Sequence, residues 1–163
     1  KRPRKPLIAF TPKQLLRLSA ASSRLDEFTS GAFLPVIGDH TITDPASVTR
    51  VLLCSGRLYY DLVKEREHRT DTSTAIIRLE QLYPLPEAEV AETLAQYPNA
   101  SVTWAQDEPR NQGAWPHLAL NLFPSLGRTV RVVSRPESAT TAAGRASLHK
   151  EQAATLIAQA FEG

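Results

Sequence analysis

Apolar runs alternate with helix-like stretches along the chain from about residue 48 onward. Residues 51–54 form a continuous apolar run, which is typical of a strand buried on both faces of a sheet. The same pattern predicts strands at 74–79, 102–105 and 129–133, helices at 58–69, 86–97 and 114–122, and a last helix after a loop over 134–147. Strands that alternate with helices predict an α/β fold with a mostly parallel sheet between two helical layers.

The first 46 residues lack this regularity. Residues 7–10 are expected to form a short buried strand, and Thr11 with Pro12 to open a helix, since threonine caps helices and proline suits their first turn. A second helix start is expected at residues 22–23, and residues 29–47 are expected to form an irregular connector. The change of pattern predicts a boundary between residues 1–46 and 47–163.

Composition narrows the class of protein. The chain has 163 residues, 42% of them hydrophobic, and a net charge of +2, so neither nucleic acid nor an anionic membrane is an expected partner. The single cysteine excludes a disulfide within the chain and suits a reducing cytoplasm. No apolar stretch reaches the roughly 18 residues of a membrane span. The chain contains no methionine, so we expect it to be a piece of a longer protein.

The segment from residue 101 to 115 carries the most candidate chemistry. An apolar run ends in amide and acidic side chains, and then come a proline, a glycine and a second tryptophan before a helical pattern. Ligands and partner surfaces are met at the carboxyl ends of strands in open α/β sheets. The candidate rim residues are Gln106, Asp107, Glu108, Asn111, Gln112 and Trp115.

The roles of these acidic residues stay open at this stage. Asp107 and Glu108 could act as a paired acid and base, but they could equally cap the next helix, accept backbone hydrogen bonds or face a partner subunit. Glu80, after the strand at 74–79, has the same ambiguity. Arg135 is interpreted as a surface charge and His149 as a polar residue of the last helix. On helix 58–69, residues 64–67 are expected to lie largely outside.

Catalytic and metal-binding residues are not predicted. The four histidines lack metal-ligand spacing, and no glycine-rich phosphate loop occurs. The first 17 residues are basic, and Lys13 stands at an expected helix start where backbone N–H groups point outward. Lys13 and Arg17 could therefore form an anion site, although a solvated basic lead is an equally simple interpretation.

Five motifs resemble the C-terminal region of 2-oxoglutarate dehydrogenase E1 components, which are thiamine-diphosphate enzymes of the transketolase type. In order, they are LIAFTPKQLLR at 7–17, CSGRLYYDL at 54–62, IRLEQLYP at 77–84, QDEPRNQGAW at 106–115, and RPESA at 135–139 followed by Gly144 and His149. Two positions depart from the family pattern: Asp107 stands for the usual glutamate and Arg57 for the common lysine.

The resemblance implies a transketolase C-terminal-domain-like fold for residues 47–163, with residues 1–46 ending the preceding pyrimidine-binding domain and forming a linker. It implies a parent oxidoreductase of the tricarboxylic acid cycle that decarboxylates 2-oxoglutarate and passes the succinyl group to lipoyl-E2, within a complex that also contains E3. Thiamine diphosphate and Mg²⁺ would lie between larger domains of a homodimer and would not be bound by this piece, which would serve assembly and regulation.

The resemblance also implies a cellular location and an effector. The parent would be cytoplasmic in a bacterium, or located in the mitochondrial matrix in a eukaryote. Some relatives bind acetyl-CoA as an activator near this domain, so a nucleotide diphosphate is the expected ligand of Lys13 and Arg17.

Alternatives remain at this stage. One is an E1 relative that uses 2-oxoadipate, and another is a stand-alone flavodoxin-like domain that binds a small molecule. A third is a β chain of a pyruvate or branched-chain dehydrogenase, against which the motifs at 80–84 and 111–113 argue.

Overall fold

The computed structural model describes residues 4–6 and 8–162, and the chain divides into two compact units, Lys1–Ala32 and Phe33–Gly163. The division into units falls earlier in the chain than the boundary predicted at residue 47. The assignment of residues 1–46 to a pyrimidine-binding domain and linker stays a prediction.

The first unit consists of short helices. Two 3-10 helices, Lys13–Arg17 and Ser19–Ala21, are followed by helix α1, Leu25–Ser30. Each expected helix start therefore precedes a helix, although each helix is short. None of the unit's described residues is buried, so these helices carry no core of their own.

The prediction of a strand at residues 7–10 is wrong for residues 8–10. Leu7 lies outside the described residues, and residues 8–10 belong to no strand. Ile8 and Phe10 are 75% and 96% exposed. A strand needs a hydrogen-bonding neighbour, and the described part of this unit contains no other strand.

The second unit is built on one five-stranded sheet in the order β1-β3-β2-β4-β5. Strands β2 to β5 run parallel, and β1 pairs antiparallel with β3. The strands are β1 Val36–Ile37, β2 Arg50–Cys54, β3 Thr74–Leu79, β4 Ser101–Pro109 and β5 Val130–Arg135. The helices are α2 Leu58–Arg69, α3 Glu87–Ala95, α4 Trp115–Asn121 and α5 Ala146–Ala160.

Helices cover both faces of this sheet and produce the predicted three-layer α/β/α fold. Successive strand residues point to opposite faces, so Leu53 and Leu52 enter different cores. The first core lies under α3 and α4 and contains the fully buried Trp104. The second lies under α2 and α5 and contains Leu62 and Leu156. Within the described residues, no helix has the length and apolar character needed to cross a bilayer.

The connector expected to be irregular contains regular structure. β1 and the 3-10 helix Pro45–Ser47 both fall within residues 29–47. The strand is only two residues long, and its register opposes Val36 to Leu79. The carbonyl of Pro35 accepts hydrogen bonds from the backbone N–H groups of Glu80 and Gln81 and extends this contact.

Arg66 is buried, which corrects the expectation that residues 64–67 lie largely outside. Its guanidinium pairs with Asp39 from the connector, and the two side chains are only 9% and 5% exposed. Arg66 also donates to the carbonyl of Thr74 at 3.1 Å and to Thr41 Oγ1 at 2.9 Å. Asp39 accepts from the backbone N–H of Ile76 at 2.8 Å, so this ion pair ties the connector to both α2 and β3.

Candidate functional site

The carboxyl ends of β2, β3, β4 and β5 meet at one edge of the sheet, where open α/β proteins place their ligands. Strands β3 and β4 lie on opposite sides of β2, so the strand order reverses there. The crevice expected at such a reversal lies between the β2–α2 turn and the end of β4. The polar part of the segment singled out in the sequence, residues 106–115, lies at this end of β4.

β4 runs to Pro109, so the first part of the expected polar loop is strand. The pairing with β5 shifts register between Ala105 and Pro109. An irregularity of this kind lets a strand bend and re-aim its side chains near a functional edge. Only the turn at residues 110–114 remains as loop before α4.

Gln106 organises this turn from inside. It is 3% exposed, and its Oε1 accepts from Trp104 Nε1 at 3.0 Å and from the backbone N–H of Trp115 at 2.8 Å. Its Nε2 donates to the carbonyls of Pro109 at 3.0 Å and Gln112 at 2.7 Å. Every hydrogen-bonding position of the amide group has a protein partner. Gln106 is therefore a buried residue that stabilises the turn and not an exposed rim residue.

Asp107 lies between two arginines. Its carboxylate accepts from Arg57 at 2.6 Å and from Arg135 at 2.7 Å. Burial opposes ionisation, but the hydrogen bonds from Arg57 and Arg135 outweigh it and hold the pKa of Asp107 below its ordinary value. A carboxylate held ionised in this way balances charge and is poorly suited to donate a proton.

Arg135 is not a surface charge, which corrects the interpretation made from the sequence. It lies at the end of β5 and is only 6% exposed, because its side chain lies under α5. Its Nη1 lies 2.7 Å from His149 Nδ1, and since arginine can only donate, the imidazole nitrogen accepts. His149 therefore joins α5 to the Asp107 cluster.

The amides of Asn111 and Gln112 bind a neighbouring loop of the same chain. Asn111 exchanges two hydrogen bonds with the backbone of Ser138, at 2.9 and 3.1 Å. Gln112 Nε2 donates to the carbonyls of Ser138 at 2.8 Å and Thr140 at 3.2 Å. These two side chains thus fix the loop that follows β5.

Glu108 is the exposed member of the acidic pair. It follows Asp107 along the strand and is exposed, whereas Asp107 is half-buried. Its side chain covers Gly113, where φ is +66° and an added Cβ would lie 2.9 Å from Glu108 Cβ. Glycine is therefore required at this point of the turn for both its conformation and its size.

Trp115 is half-buried at the start of α4. Its ring lies 5.8 Å from that of Phe123, at an angle of 38°. The side chain contributes to the first core and still leaves part of its surface accessible. Its suggested role as an anchor at a subunit interface stays a prediction.

The two basic residues proposed for anion binding lie in the first unit. Lys13 and Arg17 are both exposed and stand at the two ends of one 3-10 helix. The helix is only 5 residues long, and Pro12, which precedes it, provides no side-chain cap. The anion site also stays a prediction.

Other chemistry is sparse at this edge. In the part of the chain that the structure describes, no three histidine, cysteine or acidic side chains come together as a metal-ligand set. Burial raises the pKa of the Cys54 thiol to about 12. A nucleophilic cysteine requires the thiolate, so Cys54 acts as a core residue.

Arg57 lies across the crevice at the reversal of strand order. Besides Asp107 it pairs with Asp61 in the first turn of α2. A flavodoxin-like domain would need this crevice for its ligand. The ion pairs of Arg57 and Asp107 join the two sides of the crevice, which disfavours the stand-alone small-molecule domain.

Comparisons with known proteins identify the family. The model of the family described as 2-oxoglutarate dehydrogenase C-terminal matches residues 22–161. The chain is 45% identical over 161 residues to the 2-oxoglutarate dehydrogenase E1 component of Cupriavidus necator, covering 97% of this chain and 17% of that protein. The E1 component of Azotobacter vinelandii is 43% identical over 164 residues, with the same two shares.

A longer relative shows the same similarity. The 2-oxoglutarate dehydrogenase E1/E2 component of Corynebacterium glutamicum is 44% identical over 165 residues, which cover 98% of this chain and 13% of that protein. The chain thus spans less than a fifth of the length of these curated relatives. The matches cover nearly all of the chain and include the strand-end network around Gln106, and this chain belongs to the 2-oxoglutarate dehydrogenase C-terminal family.

Proposed function

We propose that this chain is the C-terminal part of an E1 component that decarboxylates 2-oxoglutarate and transfers the succinyl group to a lipoyl group on E2. The proposal is supported by the relatives, which carry the name 2-oxoglutarate dehydrogenase E1 component at 43% to 45% identity. None of the relatives compared above carries a 2-oxoadipate name, so that alternative is not favoured. The assembly would contain E2, E3 and a second copy of E1, in the cytoplasm of a bacterium.

The chemistry of decarboxylation is assigned to the rest of the parent protein. Thiamine diphosphate and Mg²⁺, held by the rest of the parent protein, would supply the electron sink for decarboxylation, and protein groups would supply orientation and electrostatics. The described residues do not fit this group: Asp107 is already paired with two arginines, and no metal-ligand set forms.

The role proposed for this piece is to present a fixed surface to the rest of the enzyme. The observation that carries this role is the Gln106 network, which fastens the turn at 110–114 to the core. Asn111 and Gln112 then hold the loop after β5 against the same turn. A fully satisfied polar network rigidifies its surroundings, which suits a surface that must fit another subunit. Trp115, half-buried beside the turn, is its proposed aromatic anchor.

Regulation is a second proposed role and concerns the first unit. Lys13 and Arg17 carry exposed positive charges that would suit the phosphates of a nucleotide activator such as acetyl-CoA. Helix geometry adds little to this proposal, since the 3-10 helix is so short.

The proposed function predicts activity in the intact polypeptide and none in the 163-residue chain. Ferricyanide reduction should require 2-oxoglutarate, thiamine diphosphate and Mg²⁺ together. The value of kcat/KM for 2-oxoglutarate should exceed that for 2-oxoadipate by roughly 10-fold or more, the discrimination that one methylene supports. The isolated chain should not exceed the rate of the no-enzyme blank.

Two results would contradict the proposal. One is an intact polypeptide that binds thiamine diphosphate and releases no CO₂ from 2-oxoglutarate. The other is turnover by the isolated chain that Glu108→Ala abolishes, which would place a catalytic group at the end of β4.

A further inference from the structure

A groove of about 640 Å³ lies between strand β5 and helix α5. It lies along the side of β5 that faces away from β4. Its floor is apolar and includes Val133 and Leu156, and its walls carry polar side chains from both elements. Its volume lies within the range of pockets that bind ligands of several hundred daltons. This groove plays no part in the network around Gln106.

One wall of the groove is a free strand edge. β5 stands last in the strand order, so no other strand of the described chain pairs with its outer side. The carbonyl of Arg135 accepts from the backbone N–H of Arg110, on the side of β4. Backbone groups of neighbouring strand residues point to opposite sides, so those of Val132 and Ser134 point outward beside the groove.

The groove is lined by polar and charged groups that the chain itself leaves partly or wholly unpaired. Arg135 lines it and is only 6% exposed, yet its Nε has no hydrogen-bond partner among the described residues. Arg110, Glu137 and Glu151 line it as well, and none of them forms an ion pair within the described part of the chain. Arg110 has no acidic partner, and the carboxylates of Glu137 and Glu151 line the same groove. The groove therefore suits a ligand that carries both positive and negative charge.

We propose that this groove binds an extended peptide segment of a partner protein, which adds a strand to β5. The segment would form main-chain hydrogen bonds with the outer side of Val132 and Ser134 and place an acidic side chain on Arg110. A basic side chain would meet Glu151 on α5. Obligate interfaces are more hydrophobic than transient ones, so a groove with several unpaired charges indicates an occupant that binds and leaves.

The test uses a labelled hexapeptide, acetyl-Val-Thr-Val-Glu-Val-Lys-amide, added to the intact polypeptide. Fluorescence anisotropy gives its affinity, and hydrogen exchange reports on residues 130–135. The peptide should slow exchange in β5 while leaving β3 unchanged, because only β5 gains main-chain partners. Arg110→Glu should weaken binding about tenfold or more, as expected for the loss of a charge-assisted hydrogen bond.

Lys150→Glu is the matched control, since Lys150 is exposed on α5 and does not line the groove. It should change affinity by less than about twofold, as charge changes outside an interface usually do. Thr155→Trp supplies a second variant, because the indole would fill the groove without changing its charge, and binding should be lost.

Four outcomes would overturn the proposal. Equal binding by the Arg110→Glu and Lys150→Glu proteins would remove the groove from the binding site. Complete displacement of the peptide by free glutamate would make it a small-molecule site. Protection of β5 in the intact polypeptide before peptide is added would show that the parent's own chain covers the edge. Protection that rises with protein concentration alone would indicate a second copy as the occupant.

Discussion

Replacing Asp39 with alanine is expected to lower the free energy of unfolding by about 3–5 kcal/mol, the usual cost of removing one partner of a buried ion pair. The variant would leave the guanidinium of Arg66 in a site where only 9% of its side chain reaches solvent. It would also remove the acceptor for the backbone N–H of Ile76 in the central part of β3. Urea unfolding of the 163-residue chain, followed by circular dichroism, measures the change.

A matched control lies on the same helix. Glu65 pairs with Arg69 at 2.6 Å, but both side chains are about a third exposed. Glu65→Ala should cost less than about 0.5 kcal/mol, as exposed helical pairs do. The double variant Asp39→Leu, Arg66→Met should recover much of the lost stability, because no buried charge remains. Equal effects of Asp39→Ala and Glu65→Ala would refute the buried ion pair.

Acid should weaken the same contact. Burial opposes ionisation of Asp39, but hydrogen bonds from Thr41, Ile76 and Arg66 outweigh it, and the pKa of Asp39 is lowered from 3.8. A carboxyl whose pKa is lower in the folded state stabilises the protein above its unfolded pKa. That contribution is lost as the pH falls through the folded pKa, so the stability difference between the wild type and Asp39→Ala should shrink below about pH 4.

Gln106→Leu should be the second most damaging single change. Leucine matches the volume of glutamine but leaves three groups without a partner: Trp104 Nε1, the N–H of Trp115 and the carbonyl of Gln112. The carbonyl of Pro109 loses one bond but keeps the one from the backbone N–H of Gln112. Each buried polar group left unsatisfied costs roughly 1–3 kcal/mol, so we expect a loss of at least about 2 kcal/mol. Hydrogen exchange at residues 110–115 should accelerate as well.

Two further variants separate the effect of the hydrogen-bond network on stability from the effect of side-chain size. Gln106→Glu keeps the acceptor for Trp115 but turns a carboxylate oxygen toward two carbonyls, so it should destabilise the chain too. Gln96→Leu, at an exposed glutamine after α3, should change stability by less than about 0.5 kcal/mol. Unchanged exchange at residues 110–115 in Gln106→Leu would mean that the turn is held by other contacts.

The sequence predicted the parallel part of the sheet well, because a continuous apolar run is stable in a domain of this size only where both of its faces are buried, as in a central strand. The predicted helix at 58–69 and strand at 74–79 match α2 and β3 residue for residue. The apolar runs at 51–54 and 102–105 also lie in central strands. Each run is buried on both faces, so local composition and tertiary environment agree.

Contacts between distant residues were not predictable in the same way. The two-residue strand β1 carries no periodicity, and it exists because β3 offers it an edge. β4 continues through polar residues because Gln106 finds hydrogen-bond partners up to nine residues further along the chain. Arg66 is charged on a helix whose neighbouring positions are exposed, and only the connector, 27 residues upstream, explains its burial.

The Asp107 cluster was partly within reach of the sequence. Arg57, Asp107 and Arg135 each follow or end a predicted strand, and the ends of parallel strands meet at one edge. Charges of opposite sign at such an edge could have been paired. The burial of Arg135 under α5 could not be foreseen, because the loop between β5 and α5 sets where that helix lies.

The most direct test of a structural rather than catalytic role for the end of β4 is kcat of the intact polypeptide with 2-oxoglutarate, compared between the wild type and Glu108→Gln. This substitution keeps the size of the exposed side chain beside Gly113 and removes only its acid–base capacity. We expect kcat within about twofold of the wild type, instead of the roughly 100-fold or greater loss that follows removal of a general acid or base. A loss of that larger size, with unchanged thermal stability, would contradict the account and make Glu108 a catalytic residue.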